Sequence, residues 1–129
     1  MSNTDSNSAS SNPLFTTPHE RREFPRARVK WRAAVQFSGI TTDVTVMEIS
    51  DVGFGFIGDI AYQIGAVLSF QLRMPDPSNG AQWNTVLGQA EVMSSVLSRE
   101  GFRAGVLLKS INPAHQEMLK AWVKLRLHH

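Results

Sequence analysis

Three segments of the chain alternate apolar and polar residues with a period of two, and this pattern constrains the fold more than any other feature. The segments cover residues 29–37, 66–74 and 102–108. A period of two places one set of side chains on a buried sheet face and the other in water, so each segment predicts a β-strand. The apolar positions are Val29, Trp31, Ala33, Val35, Phe37, Ala66, Leu68, Phe70, Leu72, Met74, Phe102, Ala104, Val106 and Leu108.

Weaker strand patterns lie between these segments, at residues 42–49, 53–57 and 83–97. The joints are rich in Gly, Asn, Asp, Pro and Ser, the residues that form tight turns. No helical periodicity separates the strands. Six short strands with tight connections predict an antiparallel β-barrel or sandwich, and the length of 129 residues fits a single domain.

The C-terminal end changes to a helical period. Asn112 is a suitable N-cap, and Pro113 is favoured as the first helical residue. An apolar stripe follows, so we predict an amphipathic helix over 112–127 that lies across a barrel opening or edge. The stripe consists of Met118, Leu119, Trp122, Val123 and Leu125.

The N-terminal end, residues 1–18, is rich in Ser and Asn and is predicted to be a disordered tail. It lacks the pattern of a secretory signal, and no apolar run of ~18 residues occurs, so a cytoplasmic protein is expected. The chain has no cysteine, which excludes disulfides, thiolate catalysis and Cys-ligated metals. The four histidines form no cluster with catalytic or ligand spacing. We therefore expect no enzyme activity, no cofactor and no metal.

The positive charge of the chain is concentrated near the N-terminus. The whole chain has 13 Lys and Arg against 11 Asp and Glu, a formal charge of +2. Residues 19–32 hold six basic and two acidic side chains, a net of +4, so the remainder holds seven basic and nine acidic side chains, a net of −2. This distribution indicates a local anion site rather than a broad polyanion-binding face.

The basic segment contains an arginine string with a defined shape. Pro25 fixes its own φ angle and biases Phe24 toward extended backbone. The backbone between Arg22 and Arg26 is therefore partly preorganised, so that the two guanidinium groups can bind one ligand together. An arginine fork can clamp phosphate oxygens, bond the O6 and N7 acceptors of guanine, or stack on a base. The alternative interpretation is a solvated basic linker ahead of the first strand.

A second short string lies at the end of the second predicted strand. Ser50 offers a compact donor and acceptor, and Glu48 offers a carboxylate that can accept hydrogen bonds from guanine N1–H and N2–H. Gly53 permits a sharp backbone path between strands. Taken alone, this string is also consistent with a purely structural joint.

Together the two strings resemble the PilZ domain, the cyclic di-GMP receptor module of bacteria. The resemblance covers about residues 20–127 and consists of an RRxxxR string, a (D/N)xSxxG string about twenty residues later, and a strand-rich body closed by a helix. It implies a mainly β fold, a six-stranded antiparallel β-barrel with one C-terminal helix. It also implies a domain over 19–129, with an arginine-rich ligand-binding segment at 19–28, the barrel at 29–110 and the helix after it.

The resemblance assigns roles to individual residues. It implies that Arg22 and Arg26 grip the phosphates and guanine edges of cyclic di-GMP, often bound as an intercalated dimer, with Arg21 supporting them. Ser50 and the residue two positions before it are expected to contact guanine, and Gly53 to shape the turn. Glu48 stands where the family usually has Asp or Asn, so we expect weakened or re-posed binding rather than its loss.

The implied function is a non-enzymatic receptor that relays cyclic di-GMP to a motility, exopolysaccharide, pilus or signalling partner, without membrane insertion. One alternative is a degenerate member that acts as a protein adaptor, for example in type IV pilus assembly, without binding nucleotide. A remote alternative is a small-barrel nucleic-acid-binding module with Trp31 or Phe24 as a stacking platform.

Overall fold

The computed structural model describes residues 25–127, which form six β-strands followed by one α-helix. The predicted tail at 1–18 lies outside the described residues. The mainly β prediction is confirmed, as is the change to helix at the C-terminal end. The elements are β1 (Arg26–Phe37), β2 (Ile40–Ser50), β3 (Gly53–Gly58), β4 (Val67–Pro75), β5 (Trp83–Ser98), β6 (Gly101–Ile111) and α1 (Pro113–Leu127).

The strands form a closed antiparallel barrel in the order β1-β2-β3-β6-β5-β4. The predicted six-stranded barrel is therefore confirmed, and the sandwich alternative is wrong. The barrel closes between β1 and β4 over a short stretch, in which residues 33–36 pair with residues 69–72. Toward the end of the barrel that holds the β2–β3 turn, here called the site end, β1 and β4 separate.

The core lies inside the barrel, where the alternating apolar side chains of the strands meet. Val35, Leu72 and Val106 are almost completely buried, as the period of two predicts. Phe37 departs from that pattern and is 41% exposed, because it lies at the last position of β1, next to the tight turn into β2.

The first strand begins earlier than the sequence predicts. β1 starts at Arg26 and not at residue 29, and Ala27 continues the buried positions of the strand with 3% exposure. Alanine is too small to mark a buried strand position in a sequence pattern, which explains the difference. The last part of the arginine-rich segment is consequently part of the barrel wall.

The helix begins and packs as predicted. Asn112 Oδ1 accepts a hydrogen bond from the backbone N–H of Ala114 at 2.8 Å, which confirms the N-cap. Leu119 and Val123 are buried against the barrel. Leu125, the last member of the predicted stripe, is half-exposed near the free end of α1.

One tryptophan fixes the helix against the site end of the barrel. Trp122 packs edge-to-face on Trp31 of β1, with ring centroids 5.6 Å apart, and its Nε1–H donates to the carbonyl oxygen of Pro75 at 2.6 Å. Pro75 ends β4, so α1 lies where β1 and β4 have separated. The predicted position across a barrel edge is confirmed.

We expect Trp122→Phe to lower the free energy of unfolding by about 1 kcal/mol, since it keeps an aromatic ring but leaves the buried Pro75 carbonyl without its donor. Urea unfolding followed by circular dichroism measures the change. Trp83→Phe is the matched control, because Trp83 lies on β5 with 49% exposure. Equal stability of the two variants would contradict a stabilising role for the indole hydrogen bond.

Candidate functional site

The β2–β3 turn is held by one buried hydroxyl. Ser50 is 3% exposed, and its Oγ accepts hydrogen bonds from the backbone N–H groups of Val52 at 3.3 Å and Gly53 at 3.2 Å. The same hydroxyl donates to the carbonyl oxygen of Gly53 at 3.3 Å. A serine hydroxyl has one donor and two acceptor sites, so its capacity is used inside the turn. A direct contact of Ser50 with guanine, which stays a prediction, would have to replace one of these bonds.

Gly53 lies against the backbone of the neighbouring strand. A Cβ at this position would collide with the carbonyl oxygen of Val106 and lie 3.3 Å from the Cα of Leu107. Both neighbours are backbone atoms of β6, which cannot move aside as a flexible side chain can. The glycine therefore permits the close approach between β3 and β6.

The arginine and the glutamate of the two strings bind each other. The Nη1 of Arg26 lies 2.7 Å from the Oε1 of Glu48, and the two side chains are 22% and 36% exposed. Arg26 pairs in register with Ser50, and Glu48 pairs with Arg28, so the ion pair crosses from β1 to β2 diagonally. The sequence assigned both side chains to a ligand and did not predict this contact.

The Glu48 side chain lies across a second glycine. Gly55 is the register partner of Glu48 on β3, and a Cβ there would lie 3.2 Å from Glu48 Cγ and 3.5 Å from Glu48 Oε1. The bare backbone of Gly55 thus provides the space in which the carboxylate turns toward Arg26. The sequence signal for this contact is the pair of alternating glycines at the start of β3, although that signal does not reveal which side chain fills the space.

These features surround one shallow depression at the site end of the barrel, with a volume of about 10 Å³, which is room for about one water molecule. Four predicted site residues line it, whereas predicted Arg21 and Arg22 lie outside the described residues. Its floor includes the core side chains of Ile49 and Phe54, which the sequence patterns did not identify as site residues. Phe54 packs edge-to-face on Phe70, with ring centroids 5.1 Å apart. The lining residues are Arg26, Glu48, Ile49, Ser50, Gly53, Phe54 and Gly55.

The depression has the chemistry to bind an anion that carries a planar group. The guanidinium of Arg26 supplies a charged donor fork that can bond an anion, and a flat face that can stack on a planar ring. Among residues 25–127, no group of three or more His, Asp and Glu side chains is placed to hold a metal ion. In the same part of the chain, no helix is long and apolar enough to span a membrane.

A second depression, with a volume of about 380 Å³, lies between the strands toward the opposite end of the barrel. Asp43, Asp59 and Glu100 contribute three carboxylates to it, against the single guanidinium of Arg32. This excess of negative charge disfavours a phosphate ligand, and none of the predicted site residues lines the depression.

The stacking platform of the nucleic-acid alternative is not available at Trp31. The side chain is 4% exposed and packs on Trp122, so a base cannot reach its face. The expectation for Trp31 is therefore wrong, because its position on β1 points it into the core. Phe24, the other candidate, lies outside the described residues.

No protein family and no curated protein matches the sequence, but solved structures match the fold. The inhibitor of motility MotI/DgrA of Bacillus subtilis is 17% identical, with a TM-score of 0.74 over 84% of this chain and 52% of its own. The PilZ domain of YcgR from Escherichia coli, solved with c-di-GMP, is 13% identical, with a TM-score of 0.56 over 84% of this chain and 92% of its own. Escherichia coli YcgR in complex with c-di-GMP is 15% identical, with a TM-score of 0.66 and coverages of 84% and 46%. The chain thus spans about half the length of MotI/DgrA, and at these identities the likeness establishes the fold.

Proposed function

We propose that this chain, which has a PilZ-like fold, is a non-enzymatic receptor for cyclic di-GMP in the bacterial cytoplasm. The observation that carries the proposal is the convergence of the two strings. Arg26 and Glu48 are 22 positions apart in the chain, yet they lie with Ser50 and Gly53 around one depression. Two of the structural neighbours are complexes with c-di-GMP, which supports the choice of ligand.

In this proposal each part of the depression has a task. Arg26 bonds a phosphate or the O6 and N7 edge of a guanine, together with Arg22 and Arg21 from the segment that precedes β1. Ser50 and Gly53 hold the turn so that its backbone lies under the guanine. The ligand binds as a monomer or as an intercalated dimer, whose four phosphate charges suit the basic segment.

The partner that receives the signal is a protein component of motility, exopolysaccharide synthesis, pilus assembly or signalling. Motility is favoured by one observation, since the structural neighbour MotI/DgrA is described as an inhibitor of motility. A ligand held between the arginine segment and the depression would change the surface that the partner contacts. The competing function is the adaptor, which would contact such a partner without nucleotide.

Calorimetric titration of the full chain with cyclic di-GMP and, separately, with cyclic di-AMP tests the proposal. The two ligands carry the same cyclic phosphate backbone, but adenine lacks the O6 acceptor and the N1–H donor of guanine. We expect cyclic di-GMP to bind at least about tenfold more tightly, the factor that ~1.4 kcal/mol of base recognition provides. Equal affinities would contradict guanine recognition, and absence of heat with both ligands would favour the adaptor.

A further inference from the structure

We propose that Glu48 is an intramolecular counter-ion of Arg26, which the phosphate of an incoming ligand must displace, so that Glu48 sets the affinity of the site. This inference rests on the proposed function and adds the regulation of the same site. Its basis is the 2.7 Å contact between Arg26 Nη1 and Glu48 Oε1 inside the depression. A carboxylate and a phosphate bond a guanidinium through the same kind of charged oxygen, so they compete for the same donor group.

The length of the Glu48 side chain is what makes the contact. Aspartate is one methylene shorter, which withdraws the carboxylate by ~1.5 Å and leaves it beyond hydrogen-bond range of the guanidinium. The Cγ methylene that distinguishes the two residues is the atom that lies closest to the Cβ position of Gly55, at 3.2 Å. Glu48 and Gly55 therefore act together, because the missing side chain of Gly55 leaves the space in which the longer Glu48 side chain extends to Arg26.

The strand register supports a specific role for this pair. Glu48 lies directly opposite Arg28, but its carboxylate is bonded to Arg26, two register positions nearer the site end. Arg28 is exposed and does not line the depression. The carboxylate thus neutralises the arginine that belongs to the site although another arginine is its direct cross-strand neighbour.

The counter-ion role and the guanine-acceptor role predict opposite results for Glu48→Gln. Glutamine has nearly the same size but no charge, so it weakens the hold on Arg26 and removes a negative charge that repels phosphate. If Glu48 instead accepts from guanine N1–H and N2–H, glutamine loses one of the two acceptor oxygens and presents an NH₂ group to these donors. The first role predicts tighter binding, and the second predicts weaker binding.

The experiment titrates cyclic di-GMP into the wild type, Glu48→Gln and Glu48→Asp. We expect both variants to bind about fivefold more tightly than the wild type, the factor that corresponds to loss of a partly exposed ion pair worth about 1 kcal/mol. Glu91→Gln is the matched control, because Glu91 pairs with Lys109 at 3.4 Å outside the depression, and its affinity should equal that of the wild type. Unchanged or weaker binding by Glu48→Gln would overturn the proposal.

Inorganic pyrophosphate provides a readout that does not depend on guanine. Its binding to the wild type and to Glu48→Gln is measured at constant ionic strength. If no protein binds cyclic di-GMP but Glu48→Gln binds pyrophosphate more tightly than the wild type, the proposed function fails and the counter-ion role stands. If both probes bind the two proteins equally, or neither probe binds, the counter-ion role is overturned.

Discussion

Replacing Arg26 with alanine is expected to weaken cyclic di-GMP binding by roughly 100-fold. The change removes at least two charge-assisted hydrogen bonds, each worth about 1.5–3 kcal/mol, and part of that loss is offset because Arg26 no longer has to leave its ion pair. A net loss of about 3 kcal/mol corresponds to this factor. Isothermal titration calorimetry of both proteins at the same salt concentration measures it.

Arg28→Ala is the matched control for Arg26→Ala. It removes the same charge from an exposed position two residues farther along β1, outside the depression. We expect it to lower the affinity less than about threefold, through long-range attraction alone. A similar loss in both variants would mean that general positive charge, and not a site at Arg26, attracts the ligand. The unfolding midpoints of both variants should remain near that of the wild type, because partly exposed ion pairs contribute about 1 kcal/mol or less.

Gly53→Ala is expected to cause the largest loss of stability, about 3 kcal/mol, at the upper end of the range for overpacked positions. The added methyl group would meet the carbonyl oxygen of Val106 and the Cα of Leu107, so β3 and β6 must separate locally. That separation also strains the hydrogen bonds between Ser50 and Gly53. Urea unfolding measures the change in free energy, and thermal unfolding should show a midpoint lower by ~10–20 °C.

Gly80→Ala separates this clash from the general effect of replacing a glycine. Gly80 lies in the loop between β4 and β5, and among the described residues no atom would lie within 4 Å of a Cβ there. We expect its stability to equal or slightly exceed that of the wild type, since alanine restricts the unfolded chain. If Gly53→Ala were as stable as Gly80→Ala, the close approach of β3 to β6 would not be a constraint on the sequence.

The fold could be predicted from the sequence because its strands alternate strongly. Val29, Trp31 and Val35 mark β1 by size and period, and the N-cap Asn112 marks the start of α1. The start of β1 was misplaced because Ala27 gives almost no hydrophobic signal. Phe37 was predicted to be buried because a pattern does not show where a strand runs past the core.

The sequence predicted which residues converge at the site, but it did not predict the contacts between their side chains. The two strings identified Arg26, Glu48, Ser50 and Gly53, and these line one depression. The bond between Arg26 and Glu48 was not predictable, because irregularities in register follow Arg28 on β1 and precede Glu48 on β2. A side-chain period of two cannot locate such shifts, and they decide which cross-strand neighbours meet.

The separation of β1 from β4 at the site end gives the two ends of the barrel different backbone pairing. At the opposite end the strands form a continuous hydrogen-bonded ring, closed by residues 33–36 and 69–72. At the site end, the half of β1 that carries Arg26 is braced on one side by the β2 ladder and on the other by Trp122 of α1. The Gln116 side chain also donates to the carbonyl oxygen of Asp51 in the β2–β3 turn, at 3.4 Å. A displacement of α1 would therefore be transmitted through these side-chain contacts to β1 and to the β2–β3 turn, the two elements that carry Arg26 and Ser50.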